Sequence, residues 1–319
     1  MGASFGRGGA TTFQQDLQNS DCIVIQGSNM AECHPVGFQW VMEAKARGAT
    51  LIHVDPRFTR TSAMADMYVP LRAGSDIAFL GAIVNYILSN EKYFREYVVS
   101  YTNAATLVSQ DFQDTDELDG LFSGYDTETA TYDPTTWAYE GMQAAAAAGS
   151  RLVRGKRTNP EKSSAGGHEL GARGASLEHS VVQRDETLQH PHCVFQILKR
   201  HYARYTPELV EHVCGVPPDL FAKVCEAVTA NSGRQRTTAW VYSVGWTQHS
   251  VGVQYIRGAA IIQLLLGNMG RPGGGILALR GHASIQGSTD IPTLFDLLPG
   301  YLPMPRAGVH GNLDDYLDS

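Results

Sequence analysis

The segment DCIVIQG, Asp21–Gly27, is a short apolar run, rich in β-branched residues, that ends in a glycine. Such a run is typical of a buried strand. Pro35–Arg47 is amphipathic, has a proline in its first turn and is followed by Gly48, so it predicts a helix. Thr50–Val54 (TLIHV) predicts a second strand. A strand, a helix and a strand within about 35 residues have the size of a right-handed βαβ unit.

The rest of the chain repeats this alternation, which predicts an α/β fold with a mainly parallel sheet. Further strands are expected at Met67–Pro70 and Thr237–Ser243. The helices predicted from periodicity, with Ser75 as an N-cap, are Ser75–Asn90, Glu91–Val99, His192–Arg204, Pro207–Cys214, Pro217–Asn231 and Val251–Leu266. Residues 103–189 break the rhythm and predict a partly irregular excursion, and Gly267–Gly275 predicts a glycine-rich turn.

Composition excludes several classes of protein. A net charge of −7 over 319 residues argues against non-specific binding to nucleic acid. No apolar run reaches the roughly 18 to 20 residues of a membrane helix, and the best candidate, Ile77–Leu88, is too short. Met1–Thr12 lacks the apolar segment of a signal peptide. We therefore expect no direct membrane insertion and no targeting signal in this chain.

Five cysteines are present, and none has the spacing of a metal or cluster motif. An odd number without paired spacing fits neither a disulfide framework nor a zinc or iron–sulfur site. We expect them to be small buried hydrophobic residues. They are Cys22, Cys33, Cys193, Cys214 and Cys225.

Polar residues follow the first two predicted strands, where α/β proteins bind ligands. After the first strand, Ser28, Asn29 and Glu32 could bind a phosphate or ribose, although the loop is not GxGxxG and equally suits a plain strand-to-helix connection. After the second, Asp55 suits a ribose diol and Arg57 a diphosphate, or the two form an ordinary surface ion pair.

Three later positions allow a functional and a structural interpretation. Asp76 could accept two hydrogen bonds from a guanine base or simply favour the helix dipole. Trp246 could stack on a ligand, with Thr247 and Gln248 hydrogen-bonding beside it, or belong to the core. Arg280, flanked by glycine, could clamp a small carboxylate or pair with a distant acid.

In this order, the motifs resemble the molybdopterin oxidoreductase family, whose metal is held by two molybdopterin guanine dinucleotides. The motifs are GSNxAExHP from Gly27, VDPRFTRT from Val54, LRxGSD from Leu71, GWTQHSVG from Gly245, LLLGNMGRPGGG from Leu264 and RGHxxIQGxTD from Arg280. The last motif, with HSVGxQxIR and LPGYL (Leu298–Leu302), is most similar to catalytic subunits of respiratory formate dehydrogenases. The resemblance covers essentially the whole chain.

The resemblance implies a Rossmann-like dinucleotide-binding domain at residues 1–282, with the insertion at about 103–189. Residues 283–319 would begin the return into a second domain that this chain does not contain. Arg280 would orient formate beside molybdenum or tungsten. The implied cofactor-binding residues are Gly27, Ser28, Asn29, Glu32, His34, Asp55, Arg57, Thr59, Arg72, Gly74, Asp76, Ser243, Gly245, Trp246, Thr247, Gln248, Gly281 and His282. The glycines, with the Gly273–Gly275 run, are expected where backbone passes close to the dinucleotide or pterin.

The family pattern also needs three upstream features: a 4Fe–4S cysteine motif, a bridging lysine, and a metal-ligating cysteine or selenocysteine followed by histidine. We find none of them in this sequence, since Cys33-His34 matches the guanine loop. The chain therefore resembles an internal segment, and we expect it to be inactive alone. Met1–Gly9 resembles the stretch just after the family's selenocysteine, so we expect an in-frame UGA codon upstream of Met1.

By the same resemblance, the full-length protein would oxidise formate to carbon dioxide and pass electrons to a 4Fe–4S cluster. Its partners would be an iron–sulfur electron-transfer subunit and a membrane cytochrome subunit, in a periplasmic or membrane-associated complex. Two alternatives remain open. The chain could belong to another member of the family, acting on nitrate, thiosulfate or an arsenic compound, or it could be a non-catalytic nucleotide-binding α/β module.

Overall fold

A five-stranded parallel sheet organises the part of the chain that the computed structural model describes, residues 10–141, 182–281, 297–298 and 302–318. Its strands are β1 Cys22–Gln26, β2 Thr50–Val54, β3 Met67–Val69, β6 Thr238–Tyr242 and β7 Gly275–Ala278. Their order across the sheet is β3-β2-β1-β6-β7, and every neighbouring pair is parallel. The predicted α/β fold with a parallel sheet is therefore confirmed.

The central strands are buried on both faces, which explains why their sequences are continuous apolar runs. In β1, Cys22 and Val24 face one hydrophobic cluster, and Ile23 and Ile25 face another on the opposite side. Pairing in register with Thr50–Val54 and with Thr238–Tyr242 leaves β1 no free edge. The rigid strands thereby fix where the loops at their carboxyl ends begin.

Helices cover both faces of the sheet. They are α1 Met30–Cys33, α2 Pro35–Ala46, α3 Arg60–Met64, α4 Asp76–Ser89, α5 Arg95–Tyr101, α6 Val194–Tyr202, α7 Pro207–Cys214, α8 Pro218–Ala230, α9 Val244–Thr247 and α10 Gly252–Leu265. A further helix, α11 Leu313–Leu317, has no buried residue. Short 3₁₀ helices span Gln14–Asn19 and Pro134–Trp137. In the described part of the chain, no helix has both the length and the apolarity needed to cross a membrane.

One predicted helix start was wrong for a local reason, and one predicted N-cap stands where expected without capping by its side chain. Helix α5 begins at Arg95 and not at Glu91, because Glu91 adopts a left-handed conformation (φ 52°) that ends the preceding helix. The Lys92 N–H then returns to the Ile87 carbonyl at 2.9 Å, the long-range bond of a Schellman-type ending. Ser75 stands at the N-cap of α4, but its hydroxyl donates to the Arg72 carbonyl at 2.6 Å and caps no helical N–H.

Strand β7 and several short helices were not predicted. Strand β7 has four residues directly after a glycine run, too few for a clear period. Helices α1, α3 and α9 have four or five residues each and lie in the loops after β1, β2 and β6. Those loops form the candidate site, so the short helices that were not predicted shape the site and do not alter the predicted core.

The described parts of the excursion, residues 103–141 and 182–189, are mostly irregular, as predicted. A two-stranded hairpin joins β4 (Tyr125–Asp126) to β5 (Thr131–Tyr132), and single bridges link Thr106 to Arg184 and Val108 to Tyr139. Residues 142–181 lie outside the described residues. Near the C-terminus, β8 (Leu297–Leu298) pairs with β9 (Leu302–Pro303), and the expected second domain beyond residue 282 stays a prediction.

Candidate functional site

The strand order reverses between β1 and β6, and a pocket opens at that point. The chain runs outward from β1 to β2 and β3, then returns to β6 and β7 on the other side. Open α/β sheets bind ligands in the crevice at this switch point. The pocket has a volume of about 300 Å³ and is lined by Gly27, Ser28, Asn29, Cys33, Val54, Asp55, Pro56, Arg57, Leu71, Ala73, Asp76, Ser243, Val244, Gly245 and His249.

Eight of the residues predicted from sequence meet in this lining: Gly27, Ser28, Asn29, Asp55, Arg57, Asp76, Ser243 and Gly245. They come from the loops after β1, β2 and β6 and from the start of α4. Sequence reasoning missed the side chains of Cys33 and His249, although both lie in motifs that were recognised. The signal that could have found His249 is its position directly after the predicted Trp246–Gln248 stretch.

Gly27 and Gly245 bring two of these loops into direct backbone contact. The Gly245 N–H donates to the Gly27 carbonyl at 3.1 Å. A Cβ on Gly245 would lie 2.5 Å from that carbonyl oxygen, and Gly27 itself adopts a φ of 67°. Both positions therefore require glycine, because the loops after β1 and β6 touch each other. This contact is a reason for glycine that the sequence did not reveal, and the expected approach to a ligand at these two positions stays a prediction.

The Gly273–Gly275 run also packs against protein. Each added Cβ would come within 2.5 Å of a neighbouring atom: of the Asn19 carbonyl at Gly273, of the Asn268 carbonyl at Gly274 and of the Thr11 hydroxyl at Gly275. These glycines allow β7 to start close to the Gln14–Asn19 helix. Protein contacts thus account for these glycines, and the expected approach of the run to a dinucleotide or pterin stays a prediction.

A buried hydrogen-bond network fixes Asp76. Its Oδ1 accepts from Gln26 Nε2 at 2.7 Å and from Trp246 Nε1 at 3.0 Å, and Gln26 Oε1 accepts from Trp240 Nε1 at 3.3 Å. Burial raises the pKa of Asp76, while these two donors and the charge of His249 lower it in part. The result is a carboxylate of fixed orientation, 6% exposed, at the wall of the pocket.

Trp246 belongs to the core, which is one of the two interpretations that the sequence allowed. Its side chain is fully buried and stacks on Tyr242 with ring centroids 5.1 Å apart. The indole therefore reaches the pocket only through its hydrogen bond to Asp76. Thr247 and Gln248 are exposed and lie outside the lining of this pocket.

Asp55 shapes the loop after β2. Its Oδ1 accepts the backbone N–H of Arg57 at 2.9 Å, which closes an Asx turn. Asp55 is 9% exposed, whereas the Arg57 side chain is exposed. Thr59 precedes α3, and its backbone N–H donates to the Ser62 hydroxyl at 2.8 Å. The loop thus presents a buried acid and a flexible cation at the pocket.

Glu32 and Arg72 have other partners. Glu32 is exposed, forms an ion pair with Arg60 at 3.1 Å and accepts from Asn29. Arg72 Nη1 donates to the His212 and Val213 carbonyls at the end of α7, so the structure does not bring it to the pocket. A positive charge is favourable there, because the last carbonyls of a helix attract a cation.

Gly74 lies near the pocket but outside its lining. It adopts a φ of 87°, and its carbonyl accepts from the Tyr255 hydroxyl at 3.0 Å. The turn before α4 therefore depends on a glycine and is fixed to α10.

Arg280 follows β7 and is joined to the loop after β1 through His34. His34 Nε2 lies 3.0 Å from the Arg280 carbonyl oxygen. Arg280 is close enough to Tyr242 that its positive charge opposes the burial that raises the pKa of Tyr242. Gly281 is exposed, and His282 lies outside the described residues.

Four of the five cysteines are buried, as predicted, and Cys33 is exposed at the pocket. Burial raises the pKa of Cys22 to about 12 and also raises the pKa of Cys193, Cys214 and Cys225. The prediction for Cys33 was wrong because α1 ends there and turns its side chain toward the pocket opening. Within the described residues, no group of three His, Cys, Asp or Glu side chains could hold a metal ion.

The pocket fits the nucleotide end of a dinucleotide cofactor. Its volume is at the lower end of ligand pockets, enough for a nucleoside moiety. In the lining, the buried Nδ1 atom of His249 has no hydrogen-bond partner among the described residues, as expected for a group that faces a polar ligand. The donors of Arg57 and the acceptors of Asp55 and Asp76 suit a phosphate, a ribose and a base, respectively.

Known proteins resemble this sequence over nearly its whole length. Residues 4–298 match the family described as Molybdopterin oxidoreductase. The Formate dehydrogenase-O major subunit of Escherichia coli K12 is 47% identical over 306 residues, 96% of this chain and 26% of the relative. The Formate dehydrogenase subunit alpha of Megalodesulfovibrio gigas is 47% identical over 309 residues, 97% of this chain and 27% of the relative. The chain thus spans about a quarter of the length of these curated relatives.

Proposed function

The chain belongs to the molybdopterin oxidoreductase family, and from this premise we propose that it is a segment of a formate dehydrogenase catalytic subunit. Its switch-point pocket binds the guanine end of a molybdopterin guanine dinucleotide. The observation that carries this proposal is the buried, oriented Asp76 carboxylate at the pocket wall. The similarity to formate dehydrogenases supports the choice of substrate.

Asp76 selects guanine because its carboxylate only accepts hydrogen bonds when ionised. The N1–H and the 2-amino group of guanine are two adjacent donors. A carboxylate offers about four lone-pair positions, so Asp76 keeps acceptor capacity beyond the bonds from Gln26 and Trp246. Adenine presents an acceptor at N1, which would face the carboxylate without a proton between them.

The loops after β1 and β2 bind the rest of the nucleotide. Asp55 accepts from the ribose hydroxyls, and Arg57 pairs with the diphosphate. Ser28 and Asn29 contribute hydrogen-bonding groups from the loop after β1. The other predicted cofactor contacts act beyond this pocket, with Thr247 and Gln248 on the pterin side and Gly281 and His282 after Arg280.

Arg280 orients formate through its guanidinium, which suits a carboxylate in a bidentate arrangement. The hydrogen bond from His34 to the Arg280 carbonyl fixes the backbone from which this side chain extends. The bound cofactor supplies molybdenum or tungsten as the acceptor of the two electrons released when formate loses a proton and becomes carbon dioxide. This chain's residues bind and orient, and the redox chemistry is the cofactor's.

In the full-length subunit, a 4Fe–4S cluster would serve as the electron acceptor, with an iron–sulfur subunit and a membrane cytochrome subunit as the partners. The complex is periplasmic or membrane-associated. Residues 1–282 form the cofactor-binding domain, with the insertion at about 103–189, and residues 283–319 lead into a second domain.

The test is substrate-dependent turnover by the longer catalytic subunit that contains this segment. We expect formate to reduce an artificial electron acceptor, whereas nitrate and the other oxyanions do not serve as substrates. Arg280→Ala abolishes formate turnover and leaves the metal content largely intact. The control is Arg204→Ala, which we expect to leave turnover unchanged. Arg204 forms an ion pair at 2.8 Å with Asp116, which lies on the excursion. Full formate turnover by Arg280→Ala removes this residue from the reaction.

A further inference from the structure

His53 connects the two loops that form most of the pocket. The first loop is Gly27–Asn29, after β1, and the second loop is Asp55–Thr59, after β2. His53 lies in β2 with a fully buried side chain. Its Nε2 is 3.1 Å from the Ser28 carbonyl oxygen in the first loop. Its Nδ1 is 2.8 Å from the hydroxyl of Ser62, which adjoins the second loop.

These partners determine where the protons are. A carbonyl oxygen only accepts, so Nε2 carries the hydrogen and donates it to Ser28. Ser62 Oγ accepts the Thr59 N–H at 2.8 Å, and its own hydrogen is then directed to the bare Nδ1 of His53. Every donor has an acceptor in this arrangement, and it requires a neutral imidazole.

The surroundings of the ring agree with a neutral state. The titratable groups that face it are Asp55, which favours the charged form, and Tyr68, whose ring centroid is 6.2 Å away. Burial outweighs Asp55 and lowers the pKa of His53. The ring thus stays uncharged beside a pocket in which a nucleotide phosphate would favour a cation.

We propose that His53 is a positioning residue for this site: its neutral ring ties the first loop to the second loop and sets the spacing in which the nucleotide is bound. The proposal rests on the proposed function. A second tie supports it, since the Thr61 hydroxyl donates to Asn29 Oδ1 at 3.1 Å. Both sets of bonds connect the first loop with the first turn of α3, the helix that directly follows the second loop, so two separate contacts hold the loops at one spacing.

Protonation would break the arrangement. With hydrogen on both ring nitrogens, Nδ1 becomes a donor and the Ser62 hydroxyl loses its acceptor. Ser62 is 4% exposed, so water cannot readily replace that acceptor. The tie therefore weakens as the solution becomes acidic, and nucleotide affinity falls with it.

The first experiment is ¹H–¹⁵N NMR of the imidazole in the full chain. We expect hydrogen on Nε2 and a bare Nδ1 at pH 7.5, persisting to pH 6. A ring protonated at Nδ1, or one that is doubly protonated at pH 6, overturns the proposal. This measurement needs no ligand, so it stands apart from the proposed function.

The second experiment compares GMP binding by His53→Leu, which removes both bonds, with His53→Gln, which keeps a donor near the Nε2 position. We expect about tenfold weaker binding by His53→Leu and about threefold by His53→Gln. His212→Gln, an exposed substitution, leaves binding unchanged. Below pH 6, wild-type affinity falls relative to His53→Gln, because only the wild type has this ring to protonate.

A purely structural role predicts lower thermal stability in both variants with the same GMP affinity and the same pH profile as the wild type, and this result overturns the proposal. If the wild type binds no GMP, the proposed function fails. Amide hydrogen exchange then tests whether His53 joins the two loops. His53→Leu then accelerates exchange at Ser28, Asn29 and Arg57 relative to His212→Gln. Unchanged exchange at these amides shows that His53 does not join the loops.

Discussion

Trp246 donates its indole N–H to Oδ1 of Asp76 at 3.0 Å, across 170 positions of sequence. The same oxygen accepts from Gln26 in β1. Two distant segments therefore orient one carboxylate at the switch point of the sheet. Buried polar groups that are fully hydrogen-bonded favour one arrangement of their surroundings, and here that arrangement faces the pocket.

Trp246→Phe tests this network. The phenyl ring retains much of the packing on Tyr242 but cannot donate to Asp76. We expect the free energy of unfolding to fall by about 1–3 kcal/mol, as for loss of a buried bond to a charged group. The pKa of Asp76 should rise further, because this donor lowers it. Chemical denaturation measures the free energy of unfolding, and ¹³C NMR of the carboxyl group measures the pKa of Asp76. Trp137→Phe, on the excursion, is the control. An unchanged pKa contradicts the assigned bond.

Asp76→Asn separates ligand selection from stability. Burial raises the pKa of Asp76 above its ordinary value of 3.8, so the native protein binds this proton more tightly than the unfolded chain. Stability due to this group is therefore lost as pH rises from 3.8 through the native pKa. Relative to the wild type, Asp76→Asn should gain stability between pH 4 and pH 7 without ligand. Chemical denaturation of both proteins at pH 4 and pH 7 measures this difference in stability. If Asp76→Asn instead loses stability relative to the wild type at pH 7, the raised pKa of Asp76 is contradicted.

The sequence predicted the sheet better than the surroundings of the site. Strand β2 was predicted with its observed bounds, and β1 and β6 within one residue at each end, because buried parallel strands are continuous apolar runs. The order of the loops also located Asp55 and Asp76, since strand ends meet at one edge of the sheet. These inferences need only local pattern and topology.

The directions of individual side chains could not be predicted, because distant contacts decide them. Arg72 turns to the carbonyls at the end of α7, about 140 residues away, and Trp246 turns into the core. The glycines were expected beside a ligand, and the close backbone contact of Gly245 with Gly27 was not predicted. A lone sequence shows that a residue is polar or small, whereas packing determines what it touches.

Gly245→Ala should be strongly destabilising. The added Cβ would lie 2.5 Å from the Gly27 carbonyl oxygen and 2.6 Å from its Cα, both backbone atoms that cannot rotate away. We expect a loss of about 2–4 kcal/mol in the free energy of unfolding. Gly281→Ala is the control, since an added Cβ there meets nothing within 4 Å. Equal stability of the two variants contradicts the described contact between the loops.

Thiol labelling reports on the pocket directly. Only Cys33 among the five cysteines is exposed, and burial raises the pKa of the others, so the native chain should react rapidly at one thiol. After denaturation all five should react. Because Cys33 lines the pocket, saturating GMP should slow its reaction by about tenfold. Cys33→Ser, which abolishes the fast phase, is the control, and equal labelling with and without GMP places the nucleotide elsewhere.

The central claim is that this pocket binds guanine through Asp76, and calorimetric titration of the 319-residue chain with GMP, IMP and AMP tests it most directly. Hydrogen bonds to a charged acceptor predict GMP binding about tenfold to a hundredfold tighter than AMP, with IMP between them because it lacks the 2-amino donor. Asp76→Asn should bind GMP and AMP alike. If the wild type binds AMP as tightly as GMP, or binds neither, the account is contradicted.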